Sequence, residues 1–126
     1  GGNPLACAAS LATLQLIEEE YMANATEVGE YMLEALEEIQ ARHPSLGQVR
    51  GKGLMLGAEL VKNRDTKEPA KHLRDRVEEL AFQHGLVVMG CGASTIRMAP
   101  PLCLTKSEAD EGLMIFEEAL SLAEKE

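Results

Sequence analysis

The clearest structural signal in the chain is TIRMAPP, at residues 95–101. Side chains alternate between the two faces of a strand, so Ile96 and Met98 point to one face and Arg97 points to the other. The two prolines end the strand, because proline has no N–H group to donate to a sheet. The pattern therefore predicts a half-buried strand that presents one arginine on its polar face.

Two other segments predict strands of the same sheet. Residues 54–61 alternate in part between apolar and polar side chains, and residues 86–89 form a short apolar run. Gly51 and Gly53 predict a tight bend before the first of these strands, and residues 90–94 predict a turn after the second. We therefore expect about three strands, paired mainly in antiparallel fashion.

Helices are predicted before and after these strands in the sequence. Asn3 is a good N-cap and Pro4 suits a first helical turn, so a helix is expected to run to about residue 22. A second helix is expected from about residue 25 to residue 42. Only Asn24 suggests a new cap between the two, and one long kinked helix is the alternative.

The remaining helices have clear boundary signals. Pro69 predicts the start of one helix and Gly85 its end, because glycine readily adopts the left-handed conformation that occurs just after a helix. A capping box of Thr105 and Glu108 predicts the start of the last helix. The order of elements predicts an α+β fold, a small and mainly antiparallel sheet of about three strands packed with about four helices. We expect a single domain over residues 1–126, with a helical segment at 1–42 and an α+β body at 43–126.

The first helix predicts a large partner surface. Its apolar residues cover much of its circumference, and such a helix is usually buried on several sides. These residues are Leu5, Ala8, Ala9, Leu11, Ala12, Leu14, Leu16 and Ile17. The chain also starts without methionine and almost at once enters a helical pattern. We therefore expect it to be a piece of a longer protein, with segment 1–42 packed toward a missing domain.

The composition argues against several classes of function. The net charge is −9, with 12 basic and 21 acidic residues, which disfavours binding to nucleic acids or anionic membranes. The three cysteines are odd in number and scattered, so neither a disulfide framework nor a metal site is expected. Free thiols favour a cytoplasmic location. No apolar run approaches the ~20 residues that span a bilayer.

Arg97 is the strongest candidate for a binding residue. Its planar guanidinium, just before two prolines, suits bidentate binding of a carboxylate. A solvated or structurally paired arginine is the alternative. Gly1, Gly2 and Asn3 precede a helix and could bring backbone N–H groups near a phosphate, or serve only as a loop and a cap. Residues 50–53 lack the spacing of a Walker phosphate loop, so a bend is expected there.

Four segments, in order, resemble the class III (subgroup II) aminotransferases. They are GGNPLACAA at residues 1–9, VRGKGLMLG at 49–57, GLVV at 85–88 and IRMAPPL at 96–102. The resemblance covers nearly the whole chain. This family includes 4-aminobutyrate, ornithine and acetylornithine aminotransferases, together with racemases and aminomutases.

The resemblance implies the C-terminal small domain of a fold-type I enzyme that uses pyridoxal 5′-phosphate. Such enzymes are usually homodimers with active sites at the subunit interface. A large domain, absent from this chain, would hold the cofactor through a Schiff-base lysine and an aspartate on the ring nitrogen. Arg97 would bind the substrate α-carboxylate, or pair with a glutamate when the substrate presents its other end. Gly1, Gly2 and Asn3 would lie beside the cofactor phosphate site. No lysine of this chain matches the Schiff-base position, so we expect no catalytic residue and no cofactor binding by the chain alone.

The function implied for the longer protein is transfer of an amino group between an amino acid and a 2-oxo acid. Candidate donors are 4-aminobutyrate, ornithine and acetylornithine. A racemase or aminomutase of the same fold is one alternative. A non-enzymatic α+β binding or assembly module is another, and an upstream sequence without a cofactor-binding lysine would favour it.

Overall fold

The structure, a computed structural model, describes residues 2–126, and its first third is one continuous helical rod. The rod consists of α1 (Pro4–Leu16), a π-helical turn (Ile17–Tyr21) and α2 (Met22–Arg42). The side-chain oxygen of Asn3 accepts backbone N–H groups of the first turn, which confirms the predicted N-cap. A single continuous helix, rather than two, is therefore the form that the chain adopts.

A π-helical turn joins the two parts of this rod without a break. The N–H of Met22 bonds to the carbonyl of Ile17, five residues earlier, so this turn holds one residue more than a regular α-helical turn. Asn24 consequently lies inside the helix and does not cap it. The suggestion of a new helix start at Asn24 is wrong, because the backbone hydrogen bonding continues through the turn.

The sheet is antiparallel, as predicted, but it has four strands instead of about three. The strands are β1 (Leu46–Lys52), β2 (Met55–Leu60), β3 (Met89–Cys91) and β4 (Thr95–Met98). Their order across the sheet is β1-β2-β4-β3. The fold class, α+β with a small antiparallel sheet and helices packed on it, is confirmed.

Two local predictions about the strands need correction. Gly51 lies within β1, whereas Gly53, with a φ of 55°, lies in the two-residue connection to β2. A connection this short needs a positive φ, which glycine adopts without steric cost. Residues 86–88 are not in a strand, and β3 starts only at Met89. The apolar run at 86–88 instead lines a cleft beside α4.

The other two helices have the predicted boundary signals. They are α3 (Lys71–Gln83) and α4 (Lys106–Ala123). Gly85 comes after α3 with a φ of 94°, and Thr105 and Glu108 form both hydrogen bonds of a capping box at the start of α4. α3 begins two residues after Pro69, so only its start differs from the prediction.

All helices that pack on the sheet lie on the same side of it. α2 and α3 contact the strands, and α4 packs against both of these helices. The most deeply buried large side chains come from every layer, namely Leu36, Leu46, Leu60, Val77, Ile96, Phe116 and Leu120. Within residues 2–126 no helix covers the opposite face, and its side chains are available for binding.

α1 extends away from this body with its apolar side chains in solvent. None of its residues is buried, and Leu5 and Leu11 are 79% and 69% exposed. α2, by contrast, contributes Met32 and Leu36 to the core. Packing of segment 1–42 toward another domain stays a prediction, and α1 is the part of that segment with surface left to bury.

We expect the isolated chain to bind an environment-sensitive apolar dye through α1, because the exposed leucine side chains of α1 form an apolar surface. Contiguous apolar patches of this kind are uncommon on soluble monomers. The double change Leu11→Gln and Leu14→Gln should lower the dye fluorescence clearly. Met114→Gln is the matched control, since Met114 is 64% exposed but lies on α4. Equal fluorescence from the double variant and the unmodified chain would contradict the assignment of α1 as a contact surface.

Candidate functional site

The uncovered face of the sheet carries a row of residues that runs across all four strands. Arg50 on β1 pairs with Gly57 on β2, Gly57 pairs with Arg97 on β4, and Arg97 pairs with Met89 on β3. Residues directly opposite one another share a face of the sheet, so both arginines project from the side without helices. Two strand spacings separate them, or about 10 Å between their backbones.

Arg97 is exposed and has no acidic partner among residues 2–126. Its Nη2 lies 3.4 Å from the sulfur of Met89, a weak acceptor on the neighbouring edge strand. Four other arginines form ion pairs with carboxylates, and Arg64 donates to backbone carbonyls at the end of α2. The four are Arg42, Arg50, Arg74 and Arg76. Arg97 thus retains donors for an external anion, as a carboxylate-binding arginine requires.

Arg50, on the same face, already forms hydrogen bonds with other side chains of the sheet. Its guanidinium donates to the carboxylate of Glu59 at 2.6 Å and to the amide oxygen of Gln48 at 3.0 Å. It also donates to the hydroxyl of Thr95 at 3.3 Å, across two strands. Arg50 therefore ties β1 to β2 and β4, and Glu59 offsets its charge.

Gly57 leaves room between the two arginines. A methyl group at this position would lie 3.2 Å from Cγ2 of Thr95 and 3.9 Å from Cγ of Arg50, so it would crowd the groove above β2. From the sequence, only a bend is predicted at residues 50–53, and this row of residues is not predicted.

A two-residue hairpin connection after Lys52 would have predicted the row, since it places Arg50 opposite Gly57.

The N-terminal candidates are only partly described. Gly1 lies outside the described residues. Gly2 is exposed with a φ of 76°, and the side chain of Asn3 occupies the N–H groups of Leu5 and Ala6. Those two amides are therefore not open to a phosphate while the cap is intact. A scaffold role beside a phosphate site remains a prediction for Gly1, Gly2 and Asn3.

The residues of this chain do not by themselves fit a cofactor that forms a Schiff base. All six lysines are exposed, and three of them form ion pairs with carboxylates. An exposed lysine lacks the enclosed, water-excluded site that stabilises such an adduct. In the described part of the chain, no cluster of three metal-ligating side chains occurs and no helix is long and apolar enough to cross a membrane.

The topology and the uncovered face define an α+β domain with a candidate anion-binding arginine. Residues 1–120 match the model of the class-III aminotransferases, and the chain belongs to this family. Family members are pyridoxal-phosphate enzymes.

Similar proteins have more than one activity. The chain is 43% identical over 121 residues to the alanine/serine racemase of Pyrococcus horikoshii, covering 94% of this chain and 25% of that protein. It is 38% identical over 120 residues to a 5-aminovalerate aminotransferase of Pseudomonas aeruginosa, covering 93% and 28%. The chain thus spans about a quarter of the length of these relatives.

Solved structures of transaminases share the fold. An aminotransferase of Bacillus anthracis superimposes with a TM-score of 0.92 at 33% identity, covering 97% of this chain and 29% of that one. An amine transaminase from an uncultivated Pseudomonas species, in its PLP-bound internal aldimine form, gives a TM-score of 0.89 at 37% identity, with 97% and 28% covered.

Proposed function

We propose that this chain is the C-terminal domain of a pyridoxal-phosphate-dependent aminotransferase. The longer enzyme would transfer an amino group between an amino acid, such as 4-aminobutyrate, ornithine or acetylornithine, and a 2-oxo acid. The observation that supports this most directly is the guanidinium of Arg97 on the uncovered face of the sheet, which has no acidic partner among residues 2–126. Its position suits one planar carboxylate, the group that amino acids and oxo acids share.

The work of this domain is binding and orientation. Arg97 would donate two parallel N–H bonds to the substrate carboxylate, which restricts the rotation of the substrate about its Cα. Arg50 would keep β1, β2 and β4 in register through its bonds to Glu59 and Thr95, so that the platform under Arg97 stays rigid. The cofactor chemistry would belong to residues outside this chain.

The proposed partners are inferred from the exposed helix and from the family. α1 would pack on the large domain, which buries its leucine side chains. The longer enzyme would be a homodimer. We also propose a cytoplasmic location, which the free thiols of Cys7, Cys91 and Cys103 favour.

Amino-acid racemisation is the second candidate, because the alanine/serine racemase is 43% identical to this chain. Both reactions need the carboxylate held in place, and they differ in what becomes of the amino group. The test is to incubate the full-length enzyme and pyridoxal 5′-phosphate with single amino acids, with and without a 2-oxo acid. Product that requires the oxo acid supports transamination.

Loss of optical activity without an oxo acid would support racemisation, and a positional isomer would support an aminomutase. Absence of all three products over a broad substrate panel would favour the non-enzymatic binding module. Chiral chromatography of the reaction mixtures distinguishes these outcomes.

We expect the 126-residue chain alone not to form a stoichiometric aldimine with pyridoxal 5′-phosphate. Its lysines are exposed, so any adduct should be weak and spread over several of them. The measurement is an absorbance scan for the aldimine band, and then borohydride reduction and peptide mapping. One fully modified lysine would contradict the proposal that the cofactor is held elsewhere, whereas scattered partial modification agrees with it.

A further inference from the structure

Asn24 makes a long-range contact that no expected role explains. It lies on α2, three residues after the π-helical turn, and it is partly buried. Its side-chain Nδ2 donates to the backbone carbonyl of Leu102 at 2.7 Å and to that of Leu104 at 3.1 Å. One amide group thus holds two carbonyls of a segment nearly 80 residues further along the chain.

The segment that Asn24 holds connects Arg97 to the last helix. It comes directly after β4 and contains Pro100 and Pro101, neither of which has an N–H group to donate. The N–H of Leu104 bonds to the carbonyl of Pro101 at 3.0 Å, which closes a turn within the segment. Among the described residues, that bond and the two from Asn24 are the hydrogen bonds that hold 99–104.

The end of β4 is therefore fixed from both sides. Pairing with β2 and β3 aligns the backbone at Arg97, and the Asn24 contact sets the path of the chain a few residues later. A looser segment would let the last residues of β4 fray, because the end of a strand opens more easily when the adjoining segment has few contacts. The direction of the Arg97 guanidinium depends on that backbone.

We propose that Asn24 is a positioning residue for Arg97 and acts by clamping residues 102–104 against α2. This inference rests on the proposed function, in which Arg97 binds the substrate carboxylate. Asn24 touches neither the substrate nor the cofactor in this scheme. Loss of the Asn24 side-chain amide should weaken the binding of substrates that have a carboxylate and leave the binding of other amines almost unaffected.

The test compares two isosteric changes on α2 in the full-length enzyme. Asn24→Asp replaces the one NH2 group, with both of its N–H donors, by a carboxylate oxygen that faces the two carbonyls. Gln40→Glu is the matched control, because the Gln40 amide donates to the Gly47 carbonyl at 2.9 Å, at the other end of the helix. Asn24→Ala is a second variant, which removes the donors without adding a charge.

We expect Asn24→Asp and Asn24→Ala to raise KM for the amino acid about tenfold, with kcat/KM for an amine without a carboxylate changed less than about twofold. Hydrogen exchange at the amide of Leu104, which bonds to the carbonyl of Pro101, should speed up by about tenfold or more. Gln40→Glu should leave KM and this exchange unchanged.

Arg97→Lys, measured in the same assays, separates the two proposals. If it impairs amino acids and amines equally, the carboxylate assignment fails and the role of Asn24 fails with it. If it selectively impairs amino acids while the Asn24 variants behave like Gln40→Glu, only the Asn24 proposal is overturned. Faster exchange at the amide of Leu104 without any change in KM also overturns it, because the clamp would then not position Arg97.

Discussion

Arg97→Lys in the full-length enzyme is expected to lower kcat/KM for amino acids by roughly 10- to 150-fold, which corresponds to the loss of one charge-assisted hydrogen bond of about 1.5–3 kcal/mol. Lysine keeps the positive charge but replaces a planar fork of donors by a single ammonium group. Loss of the orientation that the fork gives the carboxylate would add to this effect. The stability of the protein should change little, because Arg97 is exposed and its side chain makes only a weak contact with the sulfur of Met89 among residues 2–126.

The decisive comparison for this variant is with amines that have no carboxylate. Their kcat/KM should fall much less, since Arg97 would make no bidentate contact with them. Arg42→Lys is the matched control, because Arg42 is paired with Glu117 and lies at the C-terminal end of α2, outside the proposed site. Thermal melting of each variant checks the fold. An equal loss for amino acids and amines, or a loss that melting explains, would leave Arg97 as a structural or solvated arginine.

Gly29→Ala is expected to lower the free energy of unfolding by about 2 kcal/mol or more, although alanine is the better helix former. Gly29 is buried in α2 against the hairpin connection. A methyl group there would lie 2.3 Å from both the carbonyl carbon and the oxygen of Gly53. Both partners are backbone, so neither can move aside without shifting α2 or the hairpin.

Gly112→Ala provides the opposite outcome for the same chemical change. Gly112 lies in α4, and a methyl group there would meet only Cδ1 of Leu86, at 3.6 Å, an ordinary contact. We expect this variant to be more stable by about 0.5–1 kcal/mol, the difference in helix propensity. Urea unfolding monitored by circular dichroism measures both. If Gly29→Ala were as stable as Gly112→Ala, close packing of α2 on the hairpin would be disproved.

Features that depend on a few neighbouring residues are predictable from the sequence. The cap at Asn3, the capping box at Thr105 and the positive φ of Gly85 all result from local hydrogen bonding or local sterics. The alternation around Arg97 results from strand geometry in the same way, and the structure has that side chain exposed on β4. The order of such elements is enough to predict the α+β class.

Features that join distant residues are not predictable in this way. The sequence in and just after β1 is typical of a bend, because residues 47–53 contain three glycines, and residues 46–52 become a strand only through their pairing with β2. The π-helical turn leaves no mark in a sequence of good helix formers. Asn24 has the residue type of a common cap, whereas its partners lie 78 and 80 residues away.

The candidate site also has some features that local sequence predicts and others that depend on the tertiary structure. Local pattern is enough to find Arg97 and to place it on a polar strand face. That it stands in one row with Arg50, Gly57 and Met89 depends on strand register, which two hairpins and the packing of the core set together. That it lacks an acidic partner among residues 2–126 while Arg50 has one depends on which side chains the folded sheet brings within hydrogen-bonding distance. Short-range sterics act along the chain, whereas register and ion pairing arise only when strands from different parts of the chain meet.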